Sequence, residues 1–351
     1  MEIAPKYIVT IGGVSFENSA KHNKPIKLEI EHRDHEASRL MLTVHDSATD
    51  PAGPFPLFNS TPDPHVTPGV PVKCVAGWDD GSTTTVFQGE LVAKKNSYPA
   101  ASKTVFVALH DSHKLRRFAK HDTLPNHAVL DMLEKKAAEN GCTIKVDPSA
   151  AGDPALTTAM EVIYQVEQSN WQLMLHYLVG FGFISCCGDP NASANTIVIK
   201  KDKTNDPQYK FEFGGTEYVS HDIRSEQKRP SRSDQRHAHT HDPPESGHVT
   251  RTDGEAKDQS QNTAKSAPAH GRMTDTRRGL FAAASTKNLA RQLERQGREI
   301  QITLRFQPQL HNEEQIVLHG FGPQIDGTWE TAEVVHSLAG KSETRLVCWQ
   351  K

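Results

Sequence analysis

Between residues 26 and 44 the side chains alternate with a period of two. Ile26, Leu28 and Ile30 interleave with Lys27, Glu29 and Glu31, and Leu40, Leu42 and Val44 continue the pattern. Successive side chains of a strand point to opposite faces, so this spacing commits the segment to half-buried β-strands. The same period returns in "VPVKCVAGWDDGSTTTVFQGELVAKK" and "TVFVALH", with a turn expected on Asp79-Asp80-Gly81. The first 110 residues therefore read as strands, interrupted by a proline-rich surface loop at 51–71.

The period then changes. "PNHAVLDMLEKKAAENG" places Val129, Leu130, Leu133 and Ala137 on one helical face, with Asn126 as expected N-cap and Gly141 as stop. "SNWQLMLHYLVGFG" predicts a second helix with a Ser169/Gln172 capping box, Trp171, Leu175 and Leu178 on one face, and Gly180 at its end. "GFISCCGDPNASANTIVIKK" follows as a hairpin turning around Asp189–Asn195. From Arg224 to Arg278 polar residues dominate, and no aromatic occurs between Tyr218 and Phe281. Such a segment buries too little apolar surface to offset its ordering entropy and reads as a disordered, flexible, His-rich insertion. A short helix, "ASTKNLARQLERQG", and four strands close the chain: "EIQITLRF", "QIVLHGF", "TWETAEVVHSL" and "ETRLVCW". The stretch from Gly322 to Leu338 reads as strand, Asp326-Gly327 turn and strand, with His336 facing inward.

"VKCVAGWDDGSTTTVFQGEL" and "IVLHGFGPQIDGTWETAEVV" echo one another as strand, glycine-aromatic, Asp-Gly turn, strand. Unrelated antiparallel hairpins share this pattern too. If the echo marks a repeat, two related β-domains flank a small α/β unit. The fold class expected is α+β, mainly β, with domains at 1–112 (first β-domain), 113–203 (α/β), and 204–223 with 279–351 (second β-domain), and the insertion at 224–278. A length of 351 residues suits two or three domains.

Chemistry is sparse. A net charge of −3 gives no global drive toward nucleic acid or anionic membrane. No apolar run reaches the roughly 20 residues that cross a bilayer, so no membrane anchor is expected. The N-terminus lacks the long apolar stretch of a signal peptide. Five cysteines without CxxC spacing read as free thiols of a reducing compartment. His237, His239 and His241 alternate and can reach a divalent metal, but their surroundings provide nothing to orient the rings. No GxSxG, GxGxxG or P-loop pattern occurs. Basic clusters at Lys114–His121 and Thr276–Arg278 read as solvated faces or contacts to an acidic partner. No catalytic residue and no cofactor are expected. A binding or structural role is favoured over the alternative of a metal-dependent cell-wall hydrolase using His237–His241.

The order of these pieces resembles the phage late control gene D family, the baseplate hubs of contractile tails, similar in fold to the T4-type hub and the N-terminal part of VgrG spikes. The resemblance rests on "VPVKCVAGWDDGSTTTVFQGELVAKK", "VFVALHDSHKLRR", "HAVLDMLEKKAAENG", "QSNWQLMLHYLVGFGFISCC" and "GFGPQIDGTWETAEVVHSLAGKSETRLVCW". It marks Gly77, Trp78, Gly89, Trp171, Gly327, Trp329 and His336 as packing positions. The family's linker is often Lys-rich, whereas this one is rich in His, Ser and Asp. The resemblance implies a structural virion component of the tail baseplate, assembled in the bacterial cytoplasm. It implies a homotrimer with two tube domains per protomer, adapting a six-fold tail tube to a three-fold spike on a separate chain. Expected partners are the spike, the tube protein or its initiator and other baseplate proteins, with DNA crossing the lumen without sequence-specific binding. A type VI or extracellular injection hub is the closest alternative.

Overall fold

A computed structural model describes residues 5–17, 25–45, 66–78, 82–97, 103–187, 192–201, 209–224, 236–239, 248–252, 255–259, 271–272, 299–312, 314–338 and 342–350. Strands β1 (Pro5–Ile11), β2 (Val14–Glu17), β3 (Pro25–Arg33), β4 (Arg39–His45), β5 (Pro71–Trp78), β6 (Thr83–Ser97) and β7 (Lys103–Leu109) come first. A 3-10 helix, Asp111–Arg116, leads into β8 (Ala119–Ala128), α1 (Val129–Ala138), β9 (Thr143–Val146), α2 (Pro154–Thr157), β10 (Ala159–Ser169), α3 (Asn170–Phe181), β11 (Ile184–Cys187) and β12 (Thr196–Lys200). There follow β13 (Tyr209–Glu212), β14 (Tyr218–Arg224), β15 (Arg236–His239), β16 (His248–Thr252), β17 (Glu255–Gln259) and β18 (Gly271–Arg272). The chain closes on β19 (Glu299–Arg305), β20 (Gln315–His319), β21 (Gly327–Leu338) and β22 (Glu343–Gln350).

The protein is mainly β. Thirteen strands form one sheet in the order β14-β19-β22-β21-β3-β4-β7-β6-β5-β1-β2, with β20 beside β21 and β13 beside β20. The period-two pattern is why: Ile300, Ile302 and Leu304 of β19 and Phe106 and Ala108 of β7 are buried, while their neighbours face outward.

Inside this sheet one topology occurs twice. The order β3-β4-β7-β6-β5-β1 in the first half is matched by β14-β19-β22-β21-β20-β13 in the second, with the strands in the same succession along the chain. Two of the first copy's three register shifts recur in the second, whereas the one between Cys74 and Val75 in the β5–β6 ladder has no counterpart in β20–β21. The β3–β4 ladder shifts register between Pro25 and Lys27, and β14–β19 between Tyr218 and Ser220. The β6–β7 ladder shifts between Leu91 and Ala93, and β21–β22 between Thr331 and Glu333. Bulges are positioned features of a strand pair, so their coincidence distinguishes a repeat from two ordinary meanders. The copies differ at their last strand: β1 pairs β5 antiparallel, whereas β13 pairs β20 parallel. The hairpin echo picked out equivalent strands. Pro71 opposes Glu90 as Gln315 opposes Glu330, so the second hairpin is four residues shorter and the letter-by-letter match slips within it.

Three main cores result. Val9, Phe16, Leu28, Leu42, Phe87 and Phe106 fill the first copy, joined there by Phe306 and Leu338 from the second. Ile302, Leu304, Ile316, Trp329 and Leu346 fill the second copy. Between them in sequence, Leu124, Met132, Leu133, Trp171, Tyr177 and Ile199 pack α1 and α3 against β8, β10 and β12. Cys186 and Cys187 point into different clusters, as adjacent strand residues must.

The helix ends refine the sequence reading. Asn126, at φ 52, lies within β8, and α1 is capped instead at Ala128, whose N–H donates to Asp131 Oδ2 at 3.2 Å. The capping box at α3 forms: Gln172 N–H donates to Ser169 Oγ at 3.2 Å, and Ser169 N–H to Gln172 Oε1 at 2.8 Å. That helix ends on left-handed Gly182 (φ 83) rather than Gly180. Gly322–Asp326 is a turn, not a strand, because Asp326 Oδ1 accepts the Phe321 N–H at 2.7 Å and folds the chain back. Within the His-rich insertion the backbones of β15, β16 and β17 form an antiparallel meander, and β18 pairs with Val162–Ile163 of β10. Residues 51–65, the 79–81 turn, 188–191 and the helix expected at 284–297 lie outside the described residues.

Candidate assembly site

The two copies meet along one strand pair. The C-terminal half of β21 runs antiparallel to β3, from Glu333↔Arg33 to Leu338↔Leu28, while its N-terminal half pairs with β20. One long strand thus closes its own copy and stitches on the other. On the outer face the seam carries a charge ladder: Arg33 to Glu333 at 3.2 Å, Arg345 to Glu333 at 3.7 Å, and both Arg33 and Arg39 to Glu31. The arginines are partly exposed, so each pair contributes at most about 1 kcal/mol. This face continues as a polar trough lined by Lys27, Glu29, Ser220, Asp222, Gln301 and Arg345.

On the inner face the seam is aromatic and imidazole-rich. Trp78 packs on Phe306 (5.9 Å between centroids), Phe306 on His336 (5.7 Å), His336 on His32 (6.0 Å), and His32 on His311 (5.4 Å). His336 Nε2–H donates to Leu310 O at 3.1 Å. The Thr344 hydroxyl accepts from Gln307 N–H at 2.9 Å, leaving its proton for His336 Nδ1 at 3.0 Å. His32 Nδ1 lies 2.8 Å from Ser38 Oγ, whose hydroxyl donates to Cys187 O. His110 Nδ1 accepts from Ser112 N–H at 3.2 Å and caps the 3-10 helix. The Asp34–Ser38 turn therefore joins all three cores, with His35 N–H donating to Ser185 O at 2.9 Å and Asp34 N–H to Ala332 O at 3.1 Å.

Burial holds these rings neutral. It pushes the His32 pKa down to about 4 and the His336 pKa to about 3, the latter helped by neighbouring His32. His110 falls to about 3 through burial and then through His32 and the cations beside it. His311 lies well below its ordinary value for the same first reason, with His32 and His336 adding to it. Nothing in this arrangement supplies a nucleophile with a base, and among the described residues no group of three or more His, Cys, Asp or Glu is placed to hold a metal.

Of the packing positions marked by sequence, Trp78 and His336 converge here, on either side of Phe306. Gly77 and Gly89 are needed for close approach: a Cβ would run into the carbonyl oxygens of Ser82 and Leu109 respectively. Gly327, at φ 136, opens β21. Trp329 sits in the second core, its Nε1–H donating to Ile325 O at 2.7 Å. Trp171 belongs to the middle core, with the Arg116 guanidinium 5.1 Å above its ring. Lys114 and Arg117 converge on Glu90, at 2.8 and 3.1 Å, so much of that basic cluster is spent within the chain. His237 and His239 lie on β15, opposite Thr250 and His248, and His241 lies outside the described residues. Sequence reading missed His32, His311 and Phe306 as seam residues. Their only signal was apolar alternation interrupted by histidine.

No protein-family model matches the sequence, and no curated protein matches it. Solved structures do. A 43 kDa tail protein of prophage MuSo2 from Shewanella oneidensis aligns at TM-score 0.63 and 11% identity over 99% of this chain and 97% of that one. A tail protein from Neisseria meningitidis MC58 aligns at TM-score 0.63 and 13% identity, over 99% and 97%. An E. coli component of the type VI secretion system, described as structurally similar to T4 tail proteins, aligns at TM-score 0.61 and 10% identity over 97% of this chain and 76% of that one. The chain has the fold of these tail and secretion proteins.

Proposed function

We propose that the chain is a structural baseplate hub of a contractile phage tail, without enzymatic activity. Three copies form a ring that adapts the six-fold tail tube to a three-fold central spike. The observation that carries this reading is the repeated strand topology within one continuous sheet: three protomers with two equivalent units each present six similar surfaces around an axis. Likeness to prophage tail proteins over nearly the full length of both chains supports it. In this reading residues 1–112 form one tube domain, 204–223 with 279–351 form the other, and 113–203 stand outside the ring. The polar trough on the outer sheet face, with both charge signs interspersed, suits a channel that DNA crosses without sequence-specific contact. Partners are the spike, the tube protein or its initiator, and other baseplate proteins. The location is the virion baseplate, reached by assembly in the host cytoplasm.

Light-scattering mass measurement, with and without the spike, tests this. The expected species has three times the 38.8 kDa protomer mass. A strict monomer at high concentration with spike present overturns it. Because an E. coli type VI component shares the fold, a hub of such an injection system is the second reading. Co-purification with a tail tube and virions, or with secretion components, separates the two. The hydrolase alternative predicts loss of metal and activity on deleting residues 230–272, whereas a hub lacking them still assembles.

A further inference from the structure

Within the His-rich insertion the backbone brings together histidines that lie apart in the sequence. Strands β15, β16 and β17 form a sheet of their own, separate from the large one. Its register sets His239 opposite His248 and His237 opposite Thr250. Directly opposed residues of an antiparallel pair share a face, and so do residues two apart on one strand. His237, His239 and His248 therefore stand on one face, two along β15 and the third across from His239 on β16. Positions related in this way have Cβ atoms about 5 Å apart across the pair and about 7 Å apart along the strand and on the diagonal. Imidazoles rising from a triangle of that size can meet at one ion, with metal–nitrogen bonds of about 2 Å.

A second observation is that this meander has little else to hold it. On the face opposite the histidines the apolar strand residues are Ala238, Val249 and Ala256, and Arg236 is set directly against Arg251. Like charges opposed across a strand pair weaken it. A unit well below about 40 residues usually needs a disulfide, a metal or a partner for stability, and all five cysteines lie elsewhere in the chain.

We infer that His237, His239 and His248 bind a divalent transition ion of the zinc class, which staples β15 to β16. Imidazole ligands favour zinc, nickel or copper over calcium and magnesium, which take oxygen ligands. The carboxylate residue among the strand positions of this face, Glu255, stands two rungs from the His239–His248 pair. Three ligands leave a fourth position for water or a further group. Among the described residues no three ligating groups are gathered about one point in advance. The register supplies the proximity and the ion completes the gathering, as expected where metal binding and folding are coupled. Sequence alone singles out His237, His239 and His241; the register adds His248, on a different strand.

This inference is independent of the hub reading, since the staple forms within one chain. The test uses the tag-free full chain, stripped of metal and titrated with Zn2+ against a competing chromophoric chelator. Its mass is measured with and without Zn2+. The expected result is about one tightly held ion per chain. His237→Ala, His239→Ala and His248→Ala should each weaken binding by at least roughly tenfold, because losing even an outer-shell partner of a ligand typically costs that much. Zn2+ should also slow trypsin cleavage after Arg251 and Lys257 several-fold in the wild type but not in His248→Ala. His248→Ala is the deciding variant. Binding that survives it and is lost in His241→Ala marks a sequence-local run of imidazoles and overturns the inference. Weak binding shared equally by all variants, or no tight binding in the wild type, overturns it too. None of these outcomes alters the expected trimer mass, so the hub reading stands or falls separately.

Discussion

Acid should open the internal seam before it affects the rest of the fold. The folded-state pKa values of His32 and His336 lie at about 4 and about 3, against an ordinary value of 6.5. A depressed folded value means that the unfolded chain binds the proton first. Stability is therefore complete above 6.5 and declines as pH falls through the window from 6.5 toward 3. At about pH 5 each of these rings withdraws about 2 kcal/mol relative to neutral pH, a large share of the roughly 5–15 kcal/mol typical of a domain. Carboxylates such as Asp122 and Asp153, held below their ordinary range, stay ionised between neutral pH and about pH 5 and do not confuse the result there. The assay is urea denaturation followed by tryptophan fluorescence at neutral pH and at about pH 5, Trp78 and Trp329 lying in and near the seam strands. His336→Gln keeps a donor for Leu310 O and an acceptor for the Thr344 hydroxyl but cannot titrate. Its acid-induced loss should be smaller than that of the wild type by about 2 kcal/mol. A wild-type midpoint that is flat across this interval, or a variant with unchanged pH dependence, refutes the reasoning.

Two further outcomes follow from backbone geometry. Gly89→Ala drives a Cβ into the Leu109 carbonyl at the β6–β7 crossing and should cost on the order of 3 kcal/mol, read as a lower thermal midpoint, whereas Gly180→Ala, with open space around it, should be near neutral or slightly stabilising. Ser169→Ala removes the acceptor for Gln172 N–H at the start of α3 and should lower stability by about 1 kcal/mol in denaturant titration, with Ser169→Thr largely restoring it.

The strands were legible because their cause is local. Ile26 to Val44 and "EIQITLRF" carry a period that any half-buried sheet imposes, and the Ser169–Gln172 box needs only three residues of separation. Where one local rule failed, another contact had displaced it: β8 runs on through Asn126 because it pairs with β10, and the Asp326 side chain, accepting from the Phe321 N–H, folds residues 322–326 into a turn. The inward position of His336 was readable from alternation, but its companions His32, His311 and Phe306 were not, since nothing local distinguishes a seam histidine from an exposed one.

By itself the amino-acid order determined the half-buried strands from Ile26 to Val44 and at β19 and the capped start of α3, but not β8 and β10, which no local pattern announced. Only the tertiary structure decided that β21 lies against β3, some three hundred residues earlier in the chain, and that the two copies merge into one sheet. The physical reason is that periodicity constrains one strand's faces, whereas the choice of neighbour depends on edges, bulges and buried volume supplied by distant parts of the chain.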